Sequence, residues 1–168
     1  AAGLACLEQA ASALGEVHVV APDREQSATS HSLTLHHPLR PVQLGDRRWQ
    51  VDGTPTDCVH LALAGLLPAD PDIVLSGINN TANLGDDVIY SGTVAAAREA
   101  AFNGIFSMAV SIFRTEKPID FQGMSKFVLK LIDTIHDCRL PPGTFLNINA
   151  PSIPIENVKG VKITRQSS

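Results

Sequence analysis

The 168-residue chain has little aromatic content, six phenylalanines with one tryptophan and one tyrosine, and only three cysteines. Cys6, Cys58 and Cys138 are odd in number, scattered and outside any C-x-x-C spacing. That argues against a disulfide framework or a zinc site and for a reduced, cytoplasmic setting. Basic charge is also short: thirteen Lys and Arg stand against seventeen Asp and Glu, a net charge of −4. A generic nucleic-acid binder would show a basic stripe, so no nucleic-acid polymer is expected as a partner. No apolar run approaches the roughly 20 residues that span a bilayer, and no basic segment precedes a short apolar one as in a secretory leader. No membrane association is expected. Three catalytic signatures are missing as well: G-x-G-x-x-G after a strand, the G-x-S-x-G elbow, and H-E-x-x-H. The first absence disfavours a dehydrogenase of the Rossmann type.

What is there is an ordinary globular composition, 44% hydrophobic and 18% charged, in one domain's length of chain. The apolar pattern alternates between two periods. "GLACLEQAASALG" carries Leu4, Leu7, Ala11 and Leu14 near helical spacing, and Gly15 closes it. "VHVVAP" is a short β-branched strand, and "LRPVQLGDRRWQVDG" alternates around Gly45-Asp46 as a β-hairpin. "TPTDCVHLALAGLL" predicts a helix, with Thr54 or Thr56 as cap and Pro55 tolerable in the first turn. Strand "DIVLSGI", helix "TVAAAREAAFNG", strand "FSMAVSIF" and helix "FQGMSKFVLKLIDTIHDC" follow, then "TFLNINAP" and "VKGVKITR" as strands. Nearly continuous apolar strands alternating with helices predict an α/β fold with a mostly parallel, doubly wound sheet. The chain opens in a helix with no strand before it, so a first strand and the loop leaving it are expected upstream of Ala1.

In such sheets ligands bind beyond the carboxyl ends of the strands. Two polar loops belong there: Asp23 to Ser32 after "VHVVAP", and "SGINNTANLGDDVIYSGT" after "DIVL". Ser91-Gly92-Thr93 at a helix start makes an anion cradle, since exposed N–H groups and the helix dipole favour phosphate and Gly92 permits close approach. The same tripeptide serves equally as a plain N-cap. Asn79 and Asn83 can give neutral oxygens to a hard cation, or simply satisfy turn chemistry. Asp86-Asp87 reads as a solvated or capping pair at least as readily as a metal pair. Ser27 by itself is a loop serine, His31 is a candidate anion contact, and His36-His37 are surface residues.

Taken together, "VVAPDREQSATSHSLTL", "GTPTDC", "SGINNTANLGDDVIYSGTVAAAREA", "LPPGTFLNINAP" and "GVKITR" resemble, in that order, the survival protein SurE family of metal-dependent nucleotidases. The resemblance covers nearly the whole chain. It implies a SurE-like, Rossmann-like three-layer fold over residues 1–168 with a C-terminal strand or arm extension. It also implies a cytoplasmic homodimer or homotetramer that removes phosphate from nucleoside monophosphates, and a range that extends to short polyphosphate. One divalent ion per subunit, Mg²⁺ or Mn²⁺, is implied, with Ser27 and Asn79 as ligands beside an aspartate pair from an N-D-D-G loop expected upstream of Ala1. Asn83, Ser91, Gly92 and Thr93 are implied as phosphate holders. Thr81 and Ser30 depart from the family pattern, which often has glycine at both places, and the family's longer C-terminal arm stops short after Ser168. The alternative from another class is a non-catalytic nucleotide- or phosphate-binding regulatory module.

"FQGMSKFVLKLI" and the C-terminal segments carry much apolar surface for so small a domain. A dimer or larger assembly is therefore the expected species. Light scattering at micromolar concentration checks it, and a monomer there would count against the expectation.

Overall fold

The computed structural model describes residues 1–115, 118–135, 138 and 140–166, with the side chain of residue 155 left aside. Along the chain the elements are α1 (Ala2–Ala11), β1 (Val19–Pro22), β2 (Pro41–Gly45), β3 (Arg48–Val51), α2 (Pro55–Leu61), β4 (Ile73–Asn79), α3 (Asp87–Tyr90), α4 (Gly92–Phe102), β5 (Phe106–Phe113), α5 (Phe121–Ile135) and β6 (Phe145–Pro151).

The residue alternation of β5 sets the layers. Met108, Val110 and Ile112 point to one face, where they join Leu7 of α1, Ile78 of β4 and Met124 and Val128 of α5 in one apolar cluster. Ser107, Ala109 and Ser111 point to the other, where Ala109 meets Val88, Val94 and Ala97. Small residues on that face match the small residues of α4, whose Ala95, Ala96, Ala97, Ala100 and Ala101 are all buried. The close approach lets the Ser107 hydroxyl donate to the Ala97 carbonyl at 2.6 Å. A helix layer thus covers each face of the β4-β5-β6 sheet, which is parallel throughout.

The expected parallel α/β architecture is present, with one difference in its layout. The described strands form two three-stranded sheets, β1-β3-β2 and β4-β5-β6, rather than one. In the first, β1 pairs parallel with β3, and β2 and β3 form the expected antiparallel hairpin, with Arg47 at φ 56° in its turn. β1 and β4 each pair on one side only, and a trough of about 1980 Å³ runs between them, lined by both strands, by α1 and by the loops at their carboxyl ends.

Two sequence expectations change. No strand forms over 158–165: the alternation of "VKGVKITR" has no neighbouring edge to pair with among the described residues, and Ile163 stays 97% exposed. Alternation without a ladder partner does not hold a strand in water. Of the helix expected over 121–138, α5 ends at Ile135, and residues 136 and 137 lie outside the described residues.

The start of α2 is fixed by a reciprocal cap. Thr54 Oγ1 accepts from the Asp57 N–H at 3.1 Å, the Asp57 carboxylate accepts from the Thr54 N–H at 2.8 Å, and Pro55 occupies the first turn. Asp57 is only 1% exposed. It also accepts from the Thr34 N–H at 3.0 Å and the Thr34 hydroxyl at 2.6 Å. Burial works to raise its pKa, but the hydrogen bonds from Thr34 and Thr54 prevail and hold the carboxyl below its ordinary value. Because the folded-state pKa is depressed, this stabilisation is present above the unfolded carboxylate pKa and is lost as pH falls through the folded one. Asp57→Asn should cost about 1–3 kcal/mol at pH 7. In urea unfolding the gap from the unaltered protein should narrow as the pH is lowered through the carboxylate range.

Candidate functional site

The loop after β1 is tightly turned. Ala28 and Ser30 adopt φ of 56° and 53°, left-handed values costly for residues with a Cβ. The Ser32 hydroxyl donates to the Thr29 carbonyl at 2.7 Å, and Thr54 Oγ1 donates to the Ser32 carbonyl at 2.8 Å, tying the loop to the start of α2. Ser27 is exposed at the loop's tip, its hydroxyl donating to Glu25 Oε1 at 3.3 Å.

The second loop begins inside β4, where the register with β5 shifts between Ser76 and Asn79. Gly77 allows it: φ is 135°, and a Cβ there would lie 2.5 Å from the Val110 carbonyl oxygen. Asn79 then donates from Nδ2 to the Thr81 carbonyl at 2.9 Å and to Thr81 Oγ1 at 3.0 Å. Those two bonds orient the amide and leave Oδ1 as its open acceptor. Thr81 therefore holds the Asn79 amide through both its carbonyl and its hydroxyl.

Asn83 is 5% exposed and is gripped from three sides. Its Nδ2 donates to Ser111 Oγ at 2.6 Å, its N–H donates to Asn149 Oδ1 at 2.8 Å, and its carbonyl accepts from Asn147 and Asn149 at 2.9 and 3.2 Å. Ser111, Asn147 and Asn149 escaped the sequence reading. The available signal was "NIN" in β6, two amides spaced two apart and so on one face of an otherwise apolar strand.

At the start of α4, Ser91 Oγ accepts from the Val94 N–H at 3.1 Å, and the Ser91 carbonyl accepts from Ala95 at 2.9 Å. Ser91 is thus an N-cap that keeps its hydroxyl proton to donate. The first-turn N–H groups that remain are those of Gly92 and Thr93. Gly92 sits so tightly that a Cβ would lie 2.9 Å from Pro55 Cγ and 3.0 Å from Thr29 Oγ1. The Ser30 N–H donates to the Tyr90 carbonyl at 3.0 Å, so the two loops are stitched together at this helix end. The Asp86 side chain makes no cap hydrogen bond to α3.

Ser27, Asn79, Asn83, Ser91, Gly92 and Thr93 all line the trough. His31 does not, and its Nε2 lies 2.9 Å from Glu99 Oε2. Among the described residues no group of three His, Cys, Asp or Glu is arranged to hold a metal ion. Cys58 also lines the trough, but burial, with the charges of Asp57 and Asp23, pushes its thiol up to about 12, so it is no nucleophile. No helix among the described residues is long and apolar enough to cross a membrane.

The family model described as survival protein SurE matches residues 1–168. The chain is similar to the 5'-nucleotidase SurE of Gemmatimonas aurantiaca, at 56% identity over 98% of this chain and 67% of that protein. It is likewise similar to the 5'-nucleotidase SurE of Geotalea daltonii, at 51% identity over 99% of this chain and 67% of that protein. The crystal structure of the SurE protein from Aquifex aeolicus matches with a TM-score of 0.92 and 42% identity, covering 99% of this chain and 67% of that one.

Proposed function

Since the chain belongs to the survival protein SurE family, we propose that it acts as a nucleotidase, a phosphoric monoester hydrolase that removes phosphate from nucleoside monophosphates, in the cytoplasm and as a homodimer or homotetramer. The observation that supports this most directly is that the helix start with the uncapped N–H groups of Gly92 and Thr93, and Asn79 with its open Oδ1, line the same trough.

The proposed cofactor is one divalent ion per subunit, Mg²⁺ or Mn²⁺. Asn79 fits such a hard cation because its amide is held with the oxygen unengaged, and Ser27 fits because its proton is directed to Glu25. Both are neutral donors, and these cations favour carboxylates with water and phosphate. The two residues therefore fit as part of a coordination shell. A further strand placed between the unpaired edges of β1 and β4, with acids on the loop at its carboxyl end, would complete it. Such an ion neutralises phosphate oxygens and acidifies water.

The chain's own residues bind and orient. Gly92 and Thr93 present N–H groups at the positive end of the α4 dipole, where the phosphoryl charge is held through the transition state. The Thr93 and Ser91 hydroxyls add donors. Asn83, fixed by Ser111, Asn147 and Asn149, keeps the loop between Asn79 and α4 from shifting.

Release of inorganic phosphate from AMP or GMP, with and without Mn²⁺, tests the reading, and a metal-independent binder that releases none would overturn it. Asn79→Ala and Ser27→Ala should raise the Mn²⁺ requirement, with activity partly restored by excess metal. If added metal changes nothing while thermal stability is intact, the ligand assignment fails. Thr93→Ala should raise KM and weaken inhibition by free phosphate roughly 10- to 150-fold, since a hydrogen bond to a charged group contributes about 1.5–3 kcal/mol. Unchanged phosphate inhibition would return the start of α4 to a plain cap.

A further inference from the structure

His31 and Glu99, which do not line the trough, form a unit with the loop between Ser27 and Ser32, whose Ser27 end does. His31 and Glu99 are 68 residues apart in sequence, yet Nε2 and Oε2 meet at 2.9 Å with side chains 22% and 13% exposed. The Phe102 ring lies 5.6 Å from the imidazole and tilted against it. Glu99 is held in turn: its Oε1 is approached by His60 Nδ1 at 3.4 Å and by Asn103 Nδ2 at 3.4 Å, while Asn103 Nδ2 also donates to the Glu99 carbonyl at 2.8 Å. The bond from His31 forms whether the ring is an imidazolium or a neutral tautomer with the proton on Nε2.

The segment this contact holds is the strained one. Ala28 and Ser30, at φ 56° and 53°, bracket Thr29, whose hydroxyl is buried without a hydrogen-bond partner. A loop in that conformation relaxes unless its surroundings over-determine it. Beside the Ser32–Thr29 and Thr54–Ser32 bonds, the restraints are the Ser30 N–H on the Tyr90 carbonyl and, one residue further along, His31 on Glu99. Both anchor points lie on the α3–α4 segment that carries the phosphate cradle. Ser27 is the residue immediately before the strained stretch.

We propose that His31 and Glu99 form a positioning latch, holding the Ala28–Ser30 turn in its strained form so that Ser27 is presented to the cation beside the α4 cradle. The latch rests on the nucleotidase reading for its consequence, while its structural part stands apart from activity. His31 is then a positioning residue, acting through Ser27.

The test compares His31→Ala, His31→Gln, His60→Ala and the double variant His31→Ala/Ser30→Gly. Hydrogen exchange of the Ser30 amide, independent of catalysis, should quicken about tenfold in His31→Ala. It should stay unaltered in His60→Ala and return in His31→Gln, which restores a donor. The Mn²⁺ concentration for half activation should rise about tenfold in His31→Ala, with kcat at saturating Mn²⁺ within about twofold of the unaltered protein. Ser30→Gly, which removes the strain the latch opposes, should recover much of that loss. Unchanged Ser30 exchange in His31→Ala would overturn the latch, as would an equal effect from His60→Ala. A fall in kcat with no change in metal requirement would overturn it too. An unaltered protein that releases no phosphate from AMP would instead overturn the nucleotidase reading, leaving the exchange measurement to decide the latch.

Discussion

The close seating of α4 on β5 is the constraint on which the site depends. A helix this near a sheet needs small side chains at the contact, and Ser107, Ala109 and Ser111 on one side face an alanine-rich surface on the other. Larger residues would lift the helix and with it the N–H groups of Gly92 and Thr93. The packing also reaches the loop before the helix, because Ser111, on the same face of β5, receives the Asn83 amide. One strand face thus sets both the height of the cradle and the path of the chain that leads into it.

The groups that hold the loops in place are mostly neutral. Asn83, Asn147, Asn149, Ser111 and Thr81 satisfy one another and the backbone through amides and hydroxyls. Such a scaffold supplies rigidity without placing a full negative charge beside a bound phosphate. The buried carboxylate among the described residues, Asp57, has its charge absorbed by Thr34 and Thr54 and serves to join the loop after β3 to the loop that bears Ser27.

Much of this was legible in the sequence because it follows from local pattern. The apolar runs of β4 and β5, the Gly45-Asp46 turn and the Thr54 cap are short-range signals, and each produced the element expected. Six of the seven site residues named from sequence line one trough, on the loops that follow β1 and β4 and at the start of α4. The exceptions are long-range. Whether 158–165 becomes a strand depends on a neighbouring edge that periodicity does not report. The partner of His31 lies on α4, and nothing in the spacing of a loop histidine names it. Likewise "NIN" shows two amides on one face but not that Asn83 is the group they grip.

Cys58 illustrates a different property of the same crevice. The residue is 2% exposed and its thiol is pushed up to about 12. At neutral pH roughly one such thiol in a hundred thousand is ionised, and the thiolate is the form that attacks peroxides, disulfides and alkylating agents. The Cys58 thiol is therefore chemically silent toward oxidants, in contrast to Cys138, an exposed free cysteine on the same trough. Of two thiols on one crevice, burial removes Cys58 from oxidative chemistry and leaves Cys138 as the one that an oxidant can reach.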